Sequence, residues 1–152
     1  MNKNIKNEMK IEFSSKSANE AFARISVAAF ASQLDPTIEE IADIKTSVSE
    51  AVTNSIIHAY PNKDGIVKVR AILLDDEIEI EVSDSGAGIE DVEEAKVPLF
   101  TTKGNLERSG MGFTIMENFM VGLKVESIVG LGTKVTMNKK IKNVKTLEKN
   151  TY

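Results

Sequence analysis

The sequence predicts an α/β protein in two layers: a mixed, mainly antiparallel sheet with helices on one face. Three observations carry this. Five segments alternate apolar and polar residues at the strand period: MKIEFSS (9–15), GIVKVRAILL (65–74), EIEIEVSDS (77–85), GLKVESIV (122–129) and TKVTMNKKI (133–141). Three other segments, around 18–34, 37–60 and 110–120, repeat apolar residues at the helical period. Most strands follow one another through short turns, which gives hairpins and antiparallel pairing.

The elements follow in order. Met9, Ile11 and Phe13 define one face of the first strand. Ser17, with Glu20 three residues on, predicts a capping box for the first helix, which runs to Asp35-Pro36. Its Ala21, Ile25, Ala28 and Ala29 read as core. Asp35 or Thr37 caps the second helix, whose stripe is Ile38, Ile41, Ile44, Val48, Ala51, Val52, Ser55 and Ala59; Pro61 closes it. A turn at 62–65 leads into a hairpin joined at Asp75-Asp76. An irregular section of about 25 residues follows, longer than a compact domain normally carries unless it is a lid or binding loop. One helical turn is expected within it at 90–95. The third helix, GMGFTIMENFM, places Met111, Met116, Met120, Phe113 and Phe119 as core, and the last two strands hinge at Gly130-Leu131-Gly132.

At 152 residues the chain reads as a single domain, with a core over 9–141 and a frayed tail over 142–152. There is no cysteine, which excludes disulfides and thiolate metal sites. The net charge of −4 argues against a general nucleic-acid binder, and the basic tail reads as a solvated end. No secretory h-region or membrane-length apolar run is visible, so a cytoplasmic location is expected. The Walker-type GxxxxGK[ST] pattern and the HRD and DFG motifs of ordinary protein kinases are absent.

Three stretches carry chemistry. In SEAVTNSIIHAYP (49–61), Glu50 and Asn54 lie about 40° apart on the helical wheel, well away from the apolar stripe. Their flank (Thr46, Ser47, Ser49, Thr53, Ile57) is nearly uncharged, whereas a solvated helix face carries Lys, Glu or Arg. Such a flank around one acid is either a polar surface or the floor of a covered pocket. SDSGAGI (83–89) ends a strand on Asp84, and Gly86 and Gly88 permit a close backbone approach. RSGMGF (108–113) leads Gly110, Met111 and Gly112 straight into a helix, whose first amides suit phosphate.

The joint order is a helix with E-x-x-x-N, a strand ending in D-x-G-x-G, a long loop, a GxG-helix, then GxGT before a last strand. This order resembles the GHKL nucleotide-binding family of gyrase, mismatch-repair ATPases, heat-shock chaperones and sensor histidine kinases, and its Bergerat ATP-binding fold. Within it, SEAVTNSIIHAY, PLFTTK and ERSGMGFTIMENFM resemble the anti-sigma kinases of sporulating bacteria, over about Met9 to Met137. The resemblance implies ATP and Mg²⁺, with Asn54 on the metal and Glu50 as the catalytic carboxylate. It implies Asp84 on the adenine amino group, with Gly86 and Gly88 close to the base and Thr133 behind it. Thr101, Thr102 and Lys103 would form a lid, with Arg108 near the terminal phosphate. Gly110, Met111 and Gly112 would line the phosphates, and Arg24 would contact a partner. Ala59 stands where relatives often carry glycine.

What the resemblance implies for function is an ATP-dependent serine kinase that also acts as an anti-sigma factor. Its partners would be a sigma F-type transcription factor and an anti-anti-sigma protein substrate, and it would work as a homodimer. The alternatives are a nucleotide-dependent sigma-binding module without turnover, and a GHKL ATPase or histidine-kinase-type catalytic domain. Against the last, the single histidine, His58, lies inside the pocket helix and reads as structural.

Overall fold

Strand alternation decides the sheet. In the computed structural model, which describes residues 4–97 and 111–142, five strands form one sheet: β1 (Asn7–Ser14), β2 (Ile66–Leu73), β3 (Glu77–Asp84), β4 (Gly122–Ile128) and β5 (Gly132–Lys140). Their spatial order is β1-β2-β3-β5-β4, and each of the four pairings is antiparallel. The sheet is thus antiparallel across the described strands, with no parallel pair.

Cross-strand register stacks the apolar face. Val69 pairs with Val82, Ala71 with Ile80, and Leu73 with Ile78; Ile80 pairs in turn with Met137, and Val82 with Val135. All of these are buried. Because side chains alternate faces, Asp84 shares a face with Val82 and Ile80, and Thr133 shares one with Val135 and Met137. The register then sets Asp84 opposite Thr133. Polar groups therefore finish two apolar rows at one end of the sheet.

Against the sheet lie α1 (Asn19–Ala31), α2 (Ile38–Asn54) and α4 (Gly112–Phe119), with the short α3 (Val92–Ala95) beside β4. A 3₁₀ turn (Ser32–Leu34) and Asp35 at φ 51° break α1 from α2. Thr37 is the cap that α2 uses. Its hydroxyl accepts from the Glu40 amide at 3.1 Å while the Glu40 carboxylate accepts from the Thr37 amide at 2.9 Å. Ile44, Val48, Ala51, Val52, Ser55 and Ala59 are buried as the stripe predicts, and Ser47 joins them fully buried. Ile38, at the first turn, is 88% exposed.

Three expectations are corrected. The Ser17–Glu20 box does not form: Ala18 precedes α1 without a side-chain cap. Glu20 is bound instead to Arg24 one turn on, at 3.0 Å, and Asn19 donates to the Ser14 carbonyl. The buried row of α1 is Ala23, Val27 and Ala31, small residues at four-residue spacing that let the helix lie close. Ala21 and Ala28 are half-buried, while Ile25, Phe22 and Ala29 face outward, Phe22 standing edge-on to Phe13 at 6.3 Å. In α4, Phe113, Met116 and Met120 are core, Met111 is half-buried and Phe119 is exposed, since an eight-residue helix has one narrow buried side.

Candidate functional site

Helix α2 does not end as an α-helix. From Ser55 to Ala59 it widens into a π turn, after which Pro61 stops it. Such widened turns gather at functional sites, because one added residue changes which side chains face inward. Asn54, the last α residue, and Ser55, the first of the wide turn, serve two different contacts.

Asn54 and Glu50 face the start of α4. A β-carbon placed on Gly112 would lie 3.0 Å from Asn54 Nδ2, 3.4 Å from Asn54 Oδ1 and 3.3 Å from Glu50 Oε2. The α4 backbone therefore sits directly on the carboxylate and the carboxamide, as only glycine allows without displacement. Met111 precedes α4 with no side-chain cap. The first-turn amides of a helix have no intrahelical partner and favour an anion. Two side-chain oxygens and a helix N-terminus thus converge, a combination suited to a hard cation carrying phosphate.

Ser55 faces the other way. It donates its hydroxyl to Asp84 Oδ2 at 3.0 Å. Asp84 Oδ1 accepts from the Gly86 amide at 3.0 Å and the Thr133 amide at 3.3 Å. Three donors from three elements thus fix the carboxylate. Among the described residues Oδ1 has both acceptor positions filled, whereas Oδ2 has one left, enough for one further N–H.

The turns around Asp84 are locked to the wide turn. Ala87 donates its amide to the Ala59 carbonyl at 2.8 Å, and Gly86 packs so close to that carbonyl that a side chain would collide. Gly88 takes φ +78° against the Ile128 carbonyl. Tyr60, buried beneath, donates its hydroxyl to the Ile66 carbonyl at 2.7 Å and accepts from the Ser85 amide at 2.8 Å.

Of the predicted residues, the structure brings Glu50, Asn54 and Gly112 together, and separately Asp84, Gly86, Gly88 and Thr133. Through Asn54-Ser55 the two groups are adjacent in the chain. Arg24, paired with Glu20, lines a groove of about 540 Å³ between α1 and α2 whose wall includes Lys45, Thr46, Ser49 and Glu50. The α1 residue and the catalytic candidate therefore share one surface. Thr101, Thr102, Lys103, Arg108 and Gly110 lie outside the described residues. Ser55, Tyr60 and Ser127 are contributors that sequence reasoning missed. Only the position of Ser55 beside the E-x-x-x-N pair could have pointed to any of them.

The chain belongs to the histidine kinase-like ATPase class: the family model described as Histidine kinase-like ATPase domain matches residues 13–139. An anti-sigma F factor of Caldanaerobacter subterraneus is 66% identical over 135 residues, covering 89% of this chain and 94% of its own. One from Clostridium acetobutylicum is 58% identical over 136 residues, covering 90% and 95%. The chain belongs to the anti-sigma F factor family within that class. Among solved structures, the RsbU and RsbW domains of a Mycobacterium tuberculosis protein superpose with TM-score 0.65 at 18% identity, covering 89% of this chain and 32% of that one. The histidine kinase domain of an Erythrobacter litoralis blue-light activated histidine kinase gives 0.54 at 21% identity, covering 84% and 63%. Both share the fold.

Proposed function

We propose that this chain is an ATP-dependent protein serine kinase and anti-sigma factor. It holds a sigma F-type transcription factor and phosphorylates a serine of an anti-anti-sigma protein. The observation that carries the reading is the packing of the Gly112 backbone onto Glu50 and Asn54, one residue from the serine that holds Asp84. The sigma factor partner is supported by relatives named anti-sigma F factors. The serine substrate rests on the resemblance of the site motifs.

In this reading Asn54 supplies the oxygen for Mg²⁺, and Glu50 stands over the α4 N-terminus, where the substrate hydroxyl loses its proton. Bound Mg²⁺ supplies charge neutralisation on the phosphates. Glu50 takes the serine proton as the serine oxygen bonds to the γ-phosphorus and the bond to the ADP oxygen breaks. A carboxylate is a weak base for an alcohol, but phosphoryl transfer is mostly positioning and charge neutralisation. Asp84 accepts a hydrogen bond from the adenine amino group on Oδ2, beside the one from Ser55. Gly86, Gly88 and Thr133 frame the base. Gly110, Met111 and Gly112 give backbone to the phosphates. Thr101, Thr102, Lys103 and Arg108 belong to the lid side by resemblance. Arg24, in the groove that reaches Glu50, contacts a protein partner. The chain works in the cytoplasm, and as a homodimer; the outward Phe22 and Ile25 of α1, near β1, the edge strand among the described residues, support the dimer.

The test is a transfer assay with labelled ATP, Mg²⁺ and an anti-anti-sigma protein. Glu50→Gln is expected to slow transfer by about 10² to 10⁴, the usual worth of a positioned base, with ATP affinity retained. Wild-type protein that binds ATP but transfers no label would leave a nucleotide-dependent binding module instead.

A further inference from the structure

Along β5 the side chains on the helix-facing side are Thr133, Val135, Met137 and Lys139, at every second position. Val135 and Met137 are buried, and Thr133 ends the row opposite Asp84. The other end carries a lysine, an ammonium at the end of an apolar row. Its side chain is 15% exposed, and that of Asp43 on α2 is 21% exposed. Lys139 Nζ donates to Asp43 Oδ2 at 2.8 Å and to the Phe119 carbonyl at 2.8 Å.

Phe119 is the last residue of α4, so its carbonyl is one of the acceptors that a helix end leaves without an intrahelical partner. A cation there also meets the negative end of the helix dipole. One amine thus joins the foot of α4 to α2. Asp43 and Glu50 are seven residues apart, as are Gly112 and Phe119. At about 1.5 Å per residue each span is about 10.5 Å. With Gly112 packed on Glu50 and Asn54, the two helices run in opposite directions, in step, and are held at both ends.

Without the amine, the Asp43 carboxylate and the carbonyls at the end of α4 face each other, both negative, in a mostly buried place. A charge left there without its counter-charge is strongly unfavourable, and the foot of α4 moves off α2. An eight-residue helix is short and stiff, so displacement at its foot reaches its head, where Gly112 sits on Glu50 and Asn54.

Resting on the kinase reading above, we propose that Lys139 is a positioning residue for the phosphate half of the site. It touches neither nucleotide nor metal. It fixes how α4 lies along α2, and so where the first amides of α4 stand over Glu50 and Asn54. The base half, Asp84 with Ser55, Gly86 and Thr133, is held by bonds in which Lys139 has no part.

The experiment compares Lys139→Met, which keeps the apolar stem and removes the charge, with Lys139→Arg, which keeps a cation. Both are assayed beside wild type, below their melting temperatures, for label transfer from saturating Mg-ATP. Affinity is measured for Mg-ATP and for adenosine, which has the base and no phosphate. Lys139→Met is expected to lose about tenfold in transfer, as for a head displaced by about 0.5 Å. Its Mg-ATP affinity should fall about three- to tenfold, the worth of one hydrogen bond, with adenosine affinity unchanged. Lys139→Arg should recover most of both losses. Asp43→Ala cuts the same bridge from the α2 side and should show the same split, which keeps the test available should Lys139→Met not fold. Wild-type transfer and Mg-ATP affinity in the variants lacking the bridge overturn the proposal. Equal losses for Mg-ATP and adenosine, the mark of a general loosening, also overturn it. So does Lys139→Arg as weak as Lys139→Met. Wild type that binds Mg-ATP and transfers no label defeats the kinase reading, while the comparison of Mg-ATP with adenosine still decides the role of Lys139. Wild type that binds neither defeats both.

Discussion

Gly112→Ala separates the stability of this protein from its chemistry. Gly112 opens α4 and its φ is not in the left-handed region, so the backbone accepts alanine. Alanine is favoured over glycine within a helix by up to about 1 kcal/mol, so the variant should melt at or above the wild-type temperature. Its methyl, however, would lie 3.0 Å from Asn54 Nδ2 and 3.3 Å from Glu50 Oε2. Non-bonded contacts settle near 3.5 Å, so Asn54 must retreat by about 0.5 Å. A misplacement of about 1 Å can cost about 100-fold in rate, so half of that predicts about a tenfold loss of transfer. The assays are a thermal melt and Mg²⁺-dependent label transfer on the same preparation. A variant that melts higher and transfers as fast as wild type would refute the reasoning, because the carboxylate and carboxamide under Gly112 would then have no part in the reaction.

Other expectations concern the frame of the site. Ser47 is fully buried and its hydroxyl has no hydrogen-bond partner among the described residues, so Ser47→Ala should raise stability by about 1 kcal/mol in urea unfolding. Tyr60→Phe removes a hydroxyl that bridges the Ile66 carbonyl and the Ser85 amide, and should cost about 1–3 kcal/mol and weaken ATP binding through the 85–88 turn. For Glu40, burial raises the pKa, but the amides of Thr37 and Lys142 and the Thr37 hydroxyl more than offset it, so the group sits below its ordinary 4.5. Because the folded value is lowered, this stabilisation is present above about pH 4.5 and fades as pH falls through the folded value. The stability gap between wild type and Glu40→Gln, followed by denaturant midpoint, should be constant near neutrality and close on acidification.

Much of this was legible where one residue and its neighbours decide the outcome. The alternation in EIEIEVSDS determined which face Asp84 would occupy, and Thr37 with Glu40 marked the start of α2. Glu50 and Asn54 lie against the glycine that opens α4, while Thr46 and Ser49 of the uncharged flank line the groove between α1 and α2. What stayed hidden depends on distant partners. Ser55 reads as a small member of an apolar stripe, yet its hydroxyl binds a carboxylate 29 residues away. Ser127 reads as a polar strand residue, and only the fold brings Ile89 and Thr133 to it. The π turn leaves no periodic signature over five residues. In α1, two apolar rows compete in the sequence, and the small residues win because close approach to the layer below favours them.

The central claim is that Asp84 and the Glu50–Asn54–Gly112 cluster hold the two ends of one magnesium-bound adenine nucleotide. Calorimetric titration of wild type, Asp84→Asn and Asn54→Ala with ATP, each with and without Mg²⁺, tests it most directly. The account predicts one site per chain in wild type, weakened by Asp84→Asn whether or not metal is present. Asn54→Ala should abolish the gain that Mg²⁺ brings. Binding that ignores both substitutions, or no binding at all with Mg²⁺ present, would contradict it.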